Sequence, residues 1–244
     1  NTENCPFTYE SVSKDGETTT IKFSTLGTLD WLESQGFSLA RVNGVKEFVR
    51  VHNRIIEVVE PLDIKNTVIS FCKAYDYLEL TCVVEKLRSG YEGLFESLGY
   101  KEIPKRRKVA SKTHFYFNNC IVVATAEGFK TVQYKDYDGY AFKTELIDKD
   151  FKENHTEGHY QKFCEYVFEP ENMDAVKTSL GYLLHEHNSG TDSFMIFVND
   201  KEFDAVNHKA NGGKGKGIFE SGPKAMLPNF LVDGKKFKAD NQFQ

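Results

Sequence analysis

The densest run of chemistry-bearing residues is Ala210-Asn211-Gly212-Gly213-Lys214-Gly215-Lys216-Gly217-Ile218-Phe219. A loop that cradles phosphate needs backbone N–H groups turned inward, which glycine permits. It also needs a lysine for the β- and γ-phosphates and a hydroxyl for the magnesium ion. Aligned to the pattern GxxxxGK[ST], Gly215 and Lys216 fill the last glycine and the lysine. Ala210 then stands where the first glycine belongs, and Gly217 where the hydroxyl belongs. Two of the four diagnostic positions match, so the pattern alone also fits a solvated Gly/Lys loop.

A second cluster is basic. Lys101 to Lys112 carries six basic side chains and one acidic one. Within it Lys105, Arg106, Arg107, Lys108 and Lys112 precede Phe115-Tyr116-Phe117. Lysine and arginine neutralise phosphates and an exposed ring stacks on a base, the combination that single-stranded nucleic acid requires. A strand sends alternate side chains to opposite faces, so either Phe115 and Phe117 or Tyr116 would face solvent. The competing reading is a basic turn ahead of a strand whose rings are core.

Other candidates carry less. In His155-Thr-Glu-Gly-His159 the glutamate stands two positions after the first histidine, whereas the helical zinc motif needs it directly after. His185 and His187 would share a face only on a strand, yet Leu180 to Leu184 reads as helix. No metal site is expected from these residues. Asp136, Asp138, Asp148 and Asp150 form i, i+2 pairs that could hold Mg²⁺ for nucleotidyl transfer, against the plainer reading of solvated acidic loops. No spacing places a serine or cysteine nucleophile beside a base.

The elements that must position these groups read as mixed. Residues 1–20 are polar and rich in Ser and Thr, and are expected to form a flexible arm. A short helix near Thr28 to Leu32 leads into two β-rich runs around His52-Asn53-Arg54, then helices from Asp63 to about residue 98. The region 21–100 is therefore a mixed α/β segment. Residues 101–158 hold the basic turn, a hairpin from Phe115 to Ala124 through Asn118-Asn119, and a possible third strand over Lys130 to Tyr134. Residues 159–244 begin with helices divided at Pro170, followed by the strand Phe194 to Val198 and the glycine run. The expected class is α+β, with short antiparallel strands and helices ahead of one strand–loop–helix.

Composition narrows the function. With Lys+Arg 31 against Asp+Glu 36, the chain of 244 residues has a net charge of −5, so only a local basic groove can hold nucleic acid. Five cysteines without a CxxC pair argue against a disulfide framework or zinc ribbon and for a reducing, cytoplasmic setting. No apolar run approaches 18 residues and the first residues lack a signal-peptide pattern, so no membrane partner is expected.

Several blocks appear in a recognisable order: Leu180-Gly-Tyr-Leu-Leu-His185, the strand 194–198, Gly212 to Phe219, and Val232-Asp-Gly-Lys-Lys-Phe237. Upstream stand Phe48-Val-Arg-Val51, Ile55 to Val59, Asp63-Ile-Lys65 and Tyr140 to Asp148. Together they resemble phage and mobile-element replication proteins of the primase–helicase type, which carry a superfamily 3-like P-loop ATPase. The resemblance implies that Gly212, Gly213, Lys214, Gly215, Lys216 and Gly217 form the nucleotide loop, with Lys216 its catalytic lysine. It implies ATP and Mg²⁺ as cofactors of a longer protein, single-stranded or forked DNA as partner, and a hexameric ring. The acidic strand, sensor and arginine finger of such an ATPase would follow Gln244. The chain is thus expected to be the front of a replicative DNA helicase, ending inside an incomplete P-loop domain and inactive alone. Two other readings remain: a DNA- or partner-binding module with a degenerate loop, and a primase-like nucleotidyltransferase using the aspartates.

Overall fold

The computed structural model describes residues 5–74, 80–88, 90–104, 108–154, 158–187 and 215–226. Its strands are β1 Thr8–Val12, β2 Thr19–Phe23, β3 Phe37–Val42, β4 Val45–His52, β5 Ile55–Val58, β6 Tyr100–Lys101, β7 Lys112–Phe117, β8 Ile121–Thr125, β9 Gly128–Val132, β10 Ala141–Phe142 and β11 Leu146–Ile147. Its α-helices are α1 Thr25–Ser34, α2 Pro61–Ala74, α3 Leu80–Arg88, α4 Tyr91–Phe95, α5 His159–Val167, α6 Met173–Leu184 and α7 Lys216–Lys224. The fold is α+β. It divides into two compact units, Asn1–Arg106 with Tyr134–Thr144, and Arg107–Gln133 with Glu145–Gln244. These boundaries differ from the consecutive regions read from sequence, because residues 134–144 return to the first unit as strand β10 beside β5.

The first unit holds a five-stranded sheet in the order β10-β5-β4-β3-β6. A core of Phe7, Leu32, Phe37, Leu39, Ile64, Val68, Cys72, Val83, Leu87 and Phe95 joins its strands to α1–α4. Helix α2 shows why: Ile64, Val68 and Cys72 recur every four residues and are all buried. Pro61 opens the helix, and the Asp63 carboxylate reaches back to accept the Glu60 N–H at 3.1 Å, so Asp63 caps from inside the first turn. A second cluster, Ala40, Val49 and Ile56, packs with Tyr140, Phe142 and Ile103.

Residues 5–23 are not an arm. Strands β1 and β2 pair antiparallel from Thr8↔Phe23 to Val12↔Thr19, and Phe7 is fully buried. The Ser- and Thr-rich composition that suggested looseness belongs to an exposed two-stranded ribbon, pinned at its base by Cys5 and Phe7.

Both hairpins of the main sheet turn through two left-handed residues. Asn43-Gly44 (φ 51° and 89°) joins β3 to β4, the low-cost pair for this turn. Asn53-Arg54 (φ 47° and 65°) joins β4 to β5, as the sequence spacing suggested. An arginine in that conformation costs about 1–2 kcal/mol that glycine avoids.

The second unit holds the sheet β11-β7-β8-β9, with β7–β8 the hairpin expected around Asn118-Asn119 and β9 the third strand. Phe117, Cys120, Val122 and Ile147 form its core with Phe115 and Phe151. Helices α5, α6 and α7 meet around Cys164, Val176 and Phe219.

Candidate functional site

The glycine–lysine run enters the described structure at Gly215. Gly212, Gly213 and Lys214 lie outside the described residues, as does the segment 194–198. Gly215 is left-handed, with φ 84° and ψ 1°, and Lys216 is the first residue of α7. The Gly215 carbonyl accepts the N–H groups of Ile218 and Phe219, each at 3.0 Å. A left-handed residue followed by a right-handed one turns consecutive N–H groups to the same side, and a helix start leaves its first N–H groups for a ligand.

Glycine is required at 215 twice over. Its φ suits glycine, and a Cβ there would fall 2.8 Å from Phe163 Cζ and 3.5 Å from Val167 Cγ2. Gly215→Ala is expected to cost about 1–3 kcal/mol in strain and displacement of α5. Gly217→Ala meets nothing within 4 Å and should be neutral or stabilising. Urea unfolding followed by far-UV circular dichroism checks this, and equal effects from the two substitutions would refute it.

Helix α7 is held by other helices. Phe219 is buried, edge-on to Phe168 with ring centres 5.1 Å apart and stacked on Tyr160 at 6.4 Å. The Tyr160 hydroxyl donates to the Phe219 carbonyl at 2.6 Å. Burial pushes the Tyr160 hydroxyl up to about 12, which keeps it protonated and donating at neutral pH. Gly222 leaves room for that ring, since a Cβ there would sit 2.2 Å from Tyr160 Cζ. Pro223 stands in the last turn, and the helix ends at Lys224.

Of the basic cluster, Lys108 and Lys112 are exposed, while Lys105, Arg106 and Arg107 lie outside the described residues. The aromatic half of that reading is corrected. Tyr116 and Phe117 are 3% and 7% exposed, and Phe115 packs against the core of the second unit. Strand β7 lies between β11 and β8, with Tyr116 and Phe117 buried and Phe115 half-buried. Tyr100, directly before Lys101, is 61% exposed, and Phe129 on the edge strand β9 is 53% exposed and edge-on to Phe151. The place of Phe129 after Gly128, with no alternating apolar pattern around it, gave the sequence reading no signal.

The remaining candidates separate. Asp136 and Asp138 belong to the first unit, Asp148 and Asp150 to the second. The Asp148 carboxylate accepts the Asn118 side-chain amide at 3.1 Å. His185 Nε2 lies 3.2 Å from the Ala110 carbonyl and Nδ1 accepts the His187 N–H at 3.0 Å, so both ring nitrogens are occupied in one tautomer. His155 lies outside the described residues. Among the described residues no three His, Cys, Asp or Glu side chains converge as a metal site, and no helix is long and apolar enough to cross a membrane. His114 Nδ1 lies 2.6 Å from Glu186 Oε1, a buried pair tying β7 to the segment after α6 that no sequence pattern marked.

What the geometry defines is an α+β protein with a glycine–lysine junction at a helix start. No protein-family model, curated protein or solved structure matches the chain.

Proposed function

We propose that the chain is the accessory region and the opening of the P-loop ATPase of a phage-type replicative DNA helicase, acting as a hexameric ring in the cytoplasm. The observation that carries this reading is the junction itself. A left-handed Gly215, with no room for a side chain, delivers Lys216 to the first position of a helix. That is where a phosphate loop needs its lysine and its free N–H groups. ATP with Mg²⁺ is the cofactor on this reading, and single-stranded or forked DNA the partner.

The test is ATP turnover by the protein whose reading frame carries this chain. Lys216→Ala should eliminate hydrolysis without changing the circular dichroism spectrum, and undiminished turnover would overturn the assignment. The 244-residue chain by itself should show no calorimetric saturation with Mg·ATP below about 100 μM, since Gly217 offers no hydroxyl to the ion. A reading frame that runs past Gln244 into a strand ending in acidic residues supports the proposal.

One observation favours a second reading. Helix α7 is nine residues long and packs on α5 and α6, whereas a P-loop helix usually runs on against a sheet. On that reading the loop is degenerate and the chain is a DNA- or partner-binding module. A stop codon directly after Gln244 would favour it.

A further inference from the structure

We propose that Arg54, Lys101 and Tyr140 form a contact for the phosphate backbone of single-stranded nucleic acid, on the unit that does not carry the glycine–lysine junction. Arg54 Cζ lies 5.5 Å and Lys101 Nζ 5.7 Å from the centre of the Tyr140 ring. The ring itself packs on Ala40, Val49 and Ile56, so it is a fixed platform. Arg54 is exposed, and Lys101 and Tyr140 are half-buried.

Each cation lies against the face of the Tyr140 ring, which attracts it but leaves most of its charge unbalanced. An acidic side chain is the usual solution, and among the described residues neither cation has one within ion-pair distance. The neighbouring acids are otherwise placed. Glu47 lies on the same sheet face, separated from Lys101 by Ala40, the register partner of both. Glu57 pairs with Lys143. Asp136 and Asp138 are exposed and make no ion pair with either cation. In a chain of net charge −5, an uncompensated positive pair is an anion site, and a phosphodiester supplies the missing charge.

The turn is an independent observation. Asn43-Gly44 makes the neighbouring hairpin with the residues the turn prefers, while Asn53-Arg54 makes the same left-handed turn with an arginine. Arginine contributes nothing to the turn that glycine would not do better, so what the position gains is the guanidinium over Tyr140. Lys101 is also the first residue of the basic run 101–112. Cations and a ring on a sheet surface suit a flexible single strand, whereas duplex reading needs a helix or ribbon inserted in a groove.

The inference adds a nucleic-acid contact to the proposed function and is read out separately from it, because Lys216→Ala should leave it unchanged. Fluorescence anisotropy of labelled dT20 against the 244-residue chain provides the test. Each phosphate contact contributes about 0.7 to the log–log salt slope, or about eightfold in affinity at about 50 mM salt. Arg54→Gly restores the preferred turn pair, so its melting temperature should hold or rise while Kd increases about eightfold. Lys101→Gln should match it, and the double variant should weaken binding about 60-fold and lower the slope by about 1.4. Wild-type affinity and slope in Arg54→Gly and Lys101→Gln would overturn the proposal, as would duplex DNA binding with the same affinity and the same losses. If Arg54→Gly lowers the melting temperature instead, Lys101→Gln decides the question.

Discussion

Replacing Lys105, Arg106, Arg107 and Lys108 together by alanine is expected to remove about 2.8 from the log–log salt slope of dT20 binding, at about 0.7 per phosphate released. At about 50 mM salt this corresponds to more than three powers of ten in affinity, enough to take a micromolar interaction beyond measurement. The physical reason is local. The whole chain carries −5, so every phosphate it holds must be held by a concentrated patch. The four residues are consecutive, and Lys108 and Lys112 at the end of the run are exposed. The rings of β7 do not take part, since Tyr116 and Phe117 are buried and Phe115 is packed in the same core. Binding through this segment should therefore be almost purely electrostatic, with a steep salt slope and little preference among bases. The quadruple variant should keep a residual slope of about 1.4 from Arg54 and Lys101, with up to about 0.7 more from Lys112. Anisotropy titrations between about 50 and 200 mM salt measure both quantities. An unchanged slope in the quadruple variant would end the assignment of this segment.

What the sequence disclosed depended on whether local pattern and tertiary packing agreed. Helix α2 was legible because Pro61 closes the preceding strand, Asp63 offers a cap, and Ile64, Val68, Ile69 and Phe71 keep an apolar period; the structure adds Cys72 to its buried stripe. The β7–β8 hairpin was legible because two apolar runs flank Asn118-Asn119. Asn43-Gly44, with Leu39, Val42, Val45 and Val49 around it, is an equally strong local turn signal and joins β3 to β4. Other features had no local signature. Residues 141–142 join the first sheet as a parallel neighbour of Ile55 and Ile56, a pairing of two residues that closes over a long excursion through the other unit. For the candidate site, the glycine–lysine pattern located the junction but not its support. The requirement for Gly215 comes from Phe163 and Val167, about fifty residues earlier, and for Gly222 from Tyr160. The pair at Tyr140 was invisible for the same reason, since Arg54 and Lys101 are brought to one ring only by the sheet order.

Phe7→Ala should remove a large share of the first unit's margin of stability, in a segment whose composition suggested a flexible arm. Phe7 is fully buried, edge-on to Trp31 with ring centres 5.0 Å apart and to Phe71 at 5.7 Å. Trp31 and Phe71 are themselves 4.7 Å apart, so the three rings form one aromatic cluster between β1, α1 and α2. The backbone is locked there too: the Phe7 carbonyl accepts the Ser24 N–H at 2.7 Å, and the Pro6 carbonyl lies where a Cβ on Gly27 would stand, 2.2 Å away. Truncating a buried phenylalanine removes its transfer free energy and leaves a cavity, together about 3–5 kcal/mol. Loss of two edge-on ring contacts lies within that figure rather than on top of it. A small domain has about 5–15 kcal/mol in all, so the loss is a large fraction of the total. Phe7→Leu fills most of the volume and should cost much less. Trp31 is the single tryptophan of the chain and lies against Phe7, so its fluorescence during urea unfolding reports on this unit. The expected record is a midpoint shifted far to lower urea for Phe7→Ala, with Phe7→Leu between it and the wild type. A Phe7→Ala midpoint within about 0.5 kcal/mol of wild type, the range of an ordinary surface substitution, would mean that the ribbon is not part of the core.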